Sequence, residues 1–459
     1  MSDLPIEKIE WLRDRWLDPI GRVFRFEGEI FRAIYPAQVE HVRALFSKGI
    51  VEDLVAKGLL VRSEITNLGL PDFGLVLKHE TLPFPTKCFE WPRTFMRDAA
   101  LCVLDLNLAL LPHGLGTVDG HGGNIGQIGE ANPIWFDFGS LVPLKDLETP
   151  LEEFRRFFVR PLEMLVRAPE ADRQVRQIVR GGGIDEAAFT NLLHSPWSVQ
   201  RWLPRVRGEI RRRTAGSSER NDLSRERREA LLRNERERIA SLDLRLPRTT
   251  WGAYHQTALD LFPDDYESFG SDVRKTAIFQ LLRTVRPRQL IDLAANAGFF
   301  SFFAARQGAV TMGLDFDEAA VDRFYRTARE KGRGLSLVCA CADVMEPPPV
   351  PRQADCVLAL ALTHHLALGQ GYTFAAIAAA LARFSTDHLM VEFMANGLGG
   401  SKPMPDPLPE WYRLDAFLDS LRPHFGEVKV VGHHQDSAQS LRILIHASGR
   451  KGNAVFTQG

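Results

Sequence analysis

The chain has 459 residues, 45% of them hydrophobic and 25% charged, with 57 Lys+Arg against 58 Asp+Glu. That length exceeds one ordinary core and predicts two or three domains, with ample apolar material to fill them. A formal net charge of −1 argues against the electrostatic footprint of a general nucleic-acid binder, and no apolar run is long enough to span a bilayer.

The first residues, Met1 to Glu7, lack a basic stretch followed by an apolar one, so the expected compartment is the cytoplasm. Glu7 to Trp16 reads as a short amphipathic helix. Arg22 to Tyr35 alternates around Glu27-Gly28 like a hairpin, and Pro36 to Lys57 reads as helical. A β-rich stretch containing Gly74 to His79 follows, then a long apolar helix from Trp91 to Leu111. Of the five cysteines, at 88, 102, 339, 341 and 356, none forms a Cys-x-x-Cys pair or a zinc spacing, so reduced, buried thiols are expected.

After the long helix come Val118-Asp-Gly-His-Gly-Gly-Asn124 and Pro133-Ile-Trp-Phe-Asp-Phe-Gly139. A helix, a loop of form Asp-x4-Asn, a strand and an Asp-Phe-Gly 13 residues beyond Asn124 resemble the C-lobe of protein kinases and aminoglycoside-type phosphotransferases. The resemblance implies Asp119 as catalytic base, with Asn124 and Asp137 holding Mg²⁺ against ATP phosphates. The preceding segment departs from the pattern. It has no glycine-rich phosphate cover and no Val-Ala-Ile-Lys strand, and Arg32 and Lys78 are the obvious strand cations. A degenerate kinase-like fold kept for substrate binding or docking is the expectation, with Mg-ATP not required. Helices are expected over Leu151 to Leu165, Glu186 to Leu193 and Trp197 to Leu203. Arg207 to Arg248 is charged with mixed sign and reads as a solvated interdomain helix carrying Leu223, Leu231, Leu232, Ile239 and Leu242. Leu246 to Trp251 marks the boundary between the halves.

The second half carries four signals in order. Leu290-Ile-Asp-Leu-Ala-Ala-Asn-Ala-Gly298 is an apolar strand running into a turn of small residues, then a helix from Phe299 to Arg306. Met312-Gly-Leu-Asp315 is a strand ending in an acid, 23 residues after Asp292. Cys339-Ala-Cys-Ala-Asp343 and Val357 to His365 follow. This is the pattern of a Rossmann-like βα unit, whose helix N-terminus and strand ends form a nucleotide site. His364 and His365 fall after the fourth strand, where a neutral imidazole can accept a proton. Capping and packing roles for the two stay open beside a substrate role. Glu392, ending the strand from Leu389, is a candidate for orienting substrate.

The set resembles class I S-adenosylmethionine (SAM)-dependent methyltransferases over roughly Trp251 to His446. The resemblance implies a methionine loop at Asp292, Ala294, Asn296 and Gly298, with Ala294 and Asn296 standing where the family has glycines. It implies ribose binding by Asp315, adenine contacts from Phe316 and Asp343, and Leu360 beside the transferred methyl. NAD is the competing cofactor, and the Asp343 and His-His signals favour SAM. No metal is expected in this half.

Asp18-Pro19, the Glu27-Gly28 hairpin, Asp119 to Gly139, Thr249 to Trp251 and Ala361 to His365 together resemble a bacterial two-domain methyltransferase group that includes a nodulation-associated member. The fold expected is therefore α/β: a kinase-like α+β domain over 1–245, with its charged connector at 207–245, then a Rossmann-like SAM domain with a mostly parallel sheet over 246–450, and a polar tail at 451–459. The function expected is methylation at O, N or C of a small-molecule or glycan-like acceptor, with neither nucleic acid nor membrane as partner. A methyltransferase that also phosphorylates a small molecule, and a non-catalytic nucleotide-binding scaffold, are the two alternatives.

Overall fold

Two β-sheets organise the chain, and one hydrophobic core runs between them. The computed structural model describes residues 2–12, 18–144, 151–193, 225–249, 251–252, 262–263, 266, 272–397, 408–437 and 440–452.

The first sheet is antiparallel, built from β1 (Glu10–Trp11), β2 (Gly21–Phe26), β3 (Glu29–Ile34), β4 (Ser63–Ile65) and β5 (Leu75–His79), in the order β1-β2-β3-β5-β4. Glu27 and Gly28 turn the β2–β3 hairpin, both with positive φ. The helix expected over Glu7 to Trp16 is not found among the described residues. A single 3-10 turn at Ile6–Lys8 leads into β1, because Trp11 packs its ring on Phe24 and Phe73 and gains more from the sheet than from a lone helix. The helix expected over Pro36 to Lys57 is two, α1 (Val39–Ser47) and α2 (Ile50–Ala56), broken at the left-handed Gly49.

The long helix α3 (Arg93–Leu110) buries eleven of its side chains and is the spine of the first half. A hairpin follows, β6 (Ile125–Ile128) with β7 (Asn132–Trp135). Further on come α4 (Asp172–Arg180), which was not among the expected helices, and α5 (Glu186–Leu193), which is helical as expected and capped by Asp185. The expected helix at Trp197 to Leu203, and Leu223, lie outside the described residues. The charged connector yields α6 (Arg225–Ala240), which is not a solvated bridge. It lies on α3, with Ile239 buried, Leu231 and Leu232 against the core, and Arg236 paired to Asp105 at 2.5 Å.

The second sheet has seven strands. β8 (Gln289–Leu293), β9 (Val310–Asp315), β10 (Leu337–Cys341), β11 (Ala354–Ala359) and β12 (Ser385–Met394) are parallel, and β13 (Phe425–Ser437) and β14 (Ser440–Arg450) form an antiparallel hairpin at one edge. The order is β10-β9-β8-β11-β12-β14-β13. The first five strands form a doubly wound Rossmann-like sheet, with the switch point between β8 and β11. Near-continuous burial along β8 to β11 explains why these strands read as apolar runs without alternation. The helices α7 (Val273–Val285), α8 (Phe299–Arg306), α9 (Glu318–Lys331) and α10 (Phe374–Ala382) are among those that cover its faces. Among the described residues, no helix is long and apolar enough to cross a membrane.

The two halves are welded. The β6–β7 hairpin docks on the open edge of β10: Ala131 N–H donates to Leu337 O (3.0 Å), and Leu337 N–H donates to Gly129 O (2.7 Å). Beside them the Gln127 amide, fully buried, donates to Cys339 O (2.8 Å) and accepts from Cys339 N–H (3.0 Å). An edge strand that would otherwise invite foreign pairing is covered in this way. Behind it, α3 meets α9 through Arg93, whose guanidinium is fully buried on the Glu318 carboxylate, and through Thr94, which donates twice to Asp322.

Candidate functional site

The turn after β8 has three left-handed residues, Ala294 (φ 59°), Asn296 (φ 51°) and Gly298 (φ 89°). Ala294 and Asn296 thus adopt the left-handed conformation that glycine favours. Asn tolerates that region through its short polar side chain, whereas Ala bears a cost of about 1–2 kcal/mol. Asn296 holds its strain with its side chain: Oδ1 accepts from Ala297 N–H (2.8 Å), and Nδ2 donates to the Trp251 carbonyl (2.9 Å). Gly298 has no such freedom, since a Cβ there would fall inside the Phe324 ring.

Two acids flank this turn. Asp292 is buried, accepts from Ser301 Oγ (2.8 Å), and is pushed up to about 7 by burial. Asp315 is also buried and is pushed up to about 6 by the same cause, against the N–H groups of Asp317 (2.9 Å) and Asn296 (2.8 Å), which stabilise its ionised form. Asp315 thereby ties the end of β9 to the strained turn of β8. Its neighbour Asp317 caps α9 through Ala319 and Ala320, and accepts from Thr249 Oγ1 (3.0 Å). Phe316, between them, is 43% exposed. Asp343 lies close by, since Ala342 N–H donates to Asp315 O (2.8 Å), and its carboxylate accepts from Met345 N–H (2.9 Å).

Across the switch point, β11 is followed by Leu360 and a left-handed Ala361 (φ 50°). His364 is buried, with no hydrogen-bond partner at Nδ1 among the described residues, and burial holds its pKa down at about 3, so it is neutral at working pH. His365 is half-buried, its ring 4.0 Å from His364 and edge-on to Trp251 at 5.2 Å. The role expected of Glu392 needs correction. Its carboxylate is fully buried and already held by Arg274 (2.5 and 2.8 Å), by Arg442 (3.5 Å) and by Ala361 N–H (2.9 Å), while its main-chain O accepts from Thr363. Burial without compensation would have driven the proton on, and these cations hold its pKa below the usual value. Glu392 shapes the 360–365 loop rather than presenting a free carboxylate to substrate.

In the first half, Asn124 is buried; its side-chain amide donates at 3.5 Å to the Asp119 main-chain O, and its main-chain carbonyl accepts from Phe136 N–H (3.0 Å). The Asp119, Asn124 and Asp137 segments therefore converge. Arg32, in no motif, reaches Asp137 at 3.1 Å from β3 and also pairs with Asp18. The strand cation is present but committed to two carboxylates. Lys78 instead points to Glu29 (2.7 Å) at the surface.

No protein-family model matches the chain. It is 27% identical over 401 residues to the nodulation protein NoeA of Rhizobium meliloti (strain 1021), covering 79% of this chain and 80% of that one, so the nodulation-protein resemblance extends over most of both. Among solved structures it is similar to the magnesium protoporphyrin IX methyltransferase ChlM of Synechocystis PCC 6803 with bound SAM (15% identity, 42% of this chain and 88% of that one, TM-score 0.29). It is also similar to the bifunctional kinase-methyltransferase WbdD (17%, 41% and 42%, 0.32) and to the N-terminal domain of EvdMO1 with SAH and D-fucose (18%, 41% and 84%, 0.31). At these TM-scores none of the three bears on this chain's chemistry, which is read from its own residues.

Sequence reasoning placed the turn, the acids and the histidines but passed over the segment that crosses them. Thr249 bonds the cap of α9, the Trp251 carbonyl bonds the β8 turn, and the Trp251 ring meets His365. These residues were read as a boundary and as part of the group resemblance, with no site role assigned to them. Their only local signal was an aromatic beside turn formers, which is common outside sites. Arg274 and Arg442, from the helix α7 and the strand β14 far apart in sequence, carried no signal at all.

Proposed function

We propose that the chain is a SAM-dependent methyltransferase acting on a small-molecule or glycan-like acceptor, with the kinase-like half serving as a support rather than a phosphotransferase. The observation that carries this reading is the left-handed turn at Ala294, Asn296 and Gly298, tied by Asn296 N–H to the buried strand-end acid Asp315. Three left-handed residues keep the backbone open where a ligand must approach closely, and the acid offers hydroxyl-binding oxygens one strand away. Asp292, Ala294, Asn296 and Gly298 would hold the amino-acid end of SAM, Asp315 the ribose, Phe316 and Asp343 the adenine, and Leu360 would border the methyl. The group fits these residues, since an acid raised to about 6 by burial gains from a hydroxyl donor that stabilises its ionised form.

Bound there, the sulfonium supplies an electrophilic methyl. The chain's own part is to align and to desolvate. Trp251, the neutral His364 and His365 wall the side where an acceptor enters, and water is kept from the reacting atoms. His365, the more open of the two, is placed to take the acceptor's proton as the methyl arrives. Glu392 with Arg274 and Arg442 fixes the loop that carries it.

The committed Arg32–Asp137 pair weighs against phosphotransfer, because Mg²⁺ needs that carboxylate. Full-length protein titrated with S-adenosylhomocysteine in a calorimeter tests the cofactor assignment. Transfer of labelled methyl from SAM to a panel of hydroxylated and carboxylated small molecules and glycans then tests the activity. A folded protein that binds neither SAM nor its demethylated product removes the reading.

A further inference from the structure

The chain that leaves α6 is fastened before it reaches the cofactor crevice. Leu244 and Pro247 are buried, and the Arg245 carbonyl accepts from Arg93 Nη1, on the same guanidinium that holds Glu318 at the start of α9. The kinase-like half therefore fixes one end of the segment that follows, and proline stiffens it by setting φ.

That segment makes three contacts in the order of the strands beneath it. Thr249 Oγ1 donates to Asp317 Oδ1 (3.0 Å), just past the end of β9. The Trp251 carbonyl accepts from Asn296 Nδ2 (2.9 Å), in the turn after β8. The Trp251 ring meets the His365 ring edge-on at 5.2 Å, in the loop after β11. β9, β8 and β11 are neighbours in the sheet, and two strand spacings span about 10 Å. Two residues of extended chain cover about 7 Å of that, and the indole reaches the rest. The segment thus crosses three carboxyl ends at the switch point, where such sheets hold their ligands.

Hydrogen bonds rather than bulk packing hold it down. Thr249, Trp251 and Gly252 are each only half-buried. Thr249 Oγ1, besides donating to Asp317, accepts from Gly252 N–H (2.9 Å), so one hydroxyl closes the turn and pins it to α9. A Cβ on Gly252 would lie 2.6 Å from Thr249 Oγ1 and 2.7 Å from Ala319 Cβ. Glycine is what lets the turn lie flat against the helix.

We propose, resting on the SAM reading above, that Thr249, Trp251 and Gly252 form a strap across the cofactor crevice, and that its lifting limits how fast the cofactor enters and its demethylated product leaves. The bonds named here join one part of the protein to another, so the strap opens as readily over a filled crevice as over an empty one. The open fraction then multiplies the association and dissociation rates alike and leaves the dissociation constant unchanged. Thr249 is a positioning residue in this scheme, since it acts through the strap and not on the ligand.

The test is stopped-flow exchange of S-adenosylhomocysteine on the full chain, for wild type, Thr249→Val, Thr249→Ser and Gly252→Ala. Loss of the hydroxyl removes two hydrogen bonds, one of them to a carboxylate, so Thr249→Val should raise both rates by about 5- to 50-fold while the dissociation constant moves by less than about twofold. Gly252→Ala, which pushes the turn off α9 from the other side, should raise both rates in equal proportion. Thr249→Ser keeps the hydroxyl and should exchange as wild type does. Melting curves confirm that each variant is folded. If folded Thr249→Val and Gly252→Ala exchange at the wild-type rates, the strap is refuted and the SAM reading stands. A faster dissociation alone, with weaker binding, would make Thr249 a ligand contact and refute the strap as well. If wild type does not bind S-adenosylhomocysteine, the SAM reading fails and takes this inference with it.

Discussion

Asp315 gives the sharpest quantitative test, because its burial links cofactor binding to pH. Its carboxyl is raised to about 6 from an ordinary 3.8. The ligand-free fold therefore prefers it protonated, whereas a ribose hydroxyl donates to the ionised form. Binding should release a proton, and affinity should rise as pH climbs through the folded pKa. At about pH 5 only about a tenth of the group is ionised, and at about pH 8 nearly all, so the dissociation constant should fall about tenfold between them and then level. Asp292, raised to about 7 and electrostatically coupled to Asp315, would broaden the step rather than reverse it. The stability consequence has the opposite sense. A carboxyl with a raised folded pKa contributes stability below about pH 4 that is lost as pH rises through 6 and 7, so the ligand-free protein should melt lower at pH 8 than at pH 5 if these two acids dominate. Asp315→Asn should flatten the pH dependence of binding and weaken it by about 1.5–3 kcal/mol, the loss of a charge-assisted hydrogen bond. Asparagine can still accept from one of the N–H groups of Asn296 and Asp317, so a melting curve separates lost binding from a loosened turn. Calorimetry at three pH values decides the matter. A flat wild-type profile together with an unaffected, folded Asp315→Asn would refute the ribose assignment.

The remaining expectations are briefer. His365→Ala should cut methyl transfer by about 10²–10⁴-fold with cofactor affinity little changed, whereas His364→Ala should act mainly through the packing of a buried ring; full turnover in both variants would assign the two histidines to packing alone. Ala294→Gly should stabilise the fold by about 0.5–1 kcal/mol in urea unfolding, as relief of left-handed strain exceeds the added chain entropy, and a destabilised variant would show that the turn is not strained. Gly298→Ala, which drives a methyl into Phe324, should cost at least about 1–3 kcal/mol by overpacking. Purified protein should consume no ATP above background, and Asp137→Asn should leave methyl transfer largely intact; an Mg²⁺-dependent phosphorylated product that vanishes in Asp119→Ala would overturn that expectation.

Local sequence carried the parts of this protein that local physics decides. The apolar runs of β8, β9 and β11, the acid at 315, the turn of small residues at 294–298 and the hairpin at Glu27-Gly28 all follow from period, propensity and turn chemistry, which act over a few residues. Left-handed Ala294 and Asn296 lay beyond that reach, since neither residue type demands the conformation; the pull of Asp315 on Asn296 N–H and of Trp251 O on the Asn296 amide imposes it. The motif interval from Asn124 to Asp137 was visible as spacing, but its hairpin's bond to the edge of β10 was not, because backbone pairing leaves no mark on side-chain identity. Glu392 looked like an open strand-end acid until Arg274 and Arg442 arrived from other elements. A charge is free or committed only according to what the folded chain brings beside it, and that is set by contacts between residues far apart in sequence.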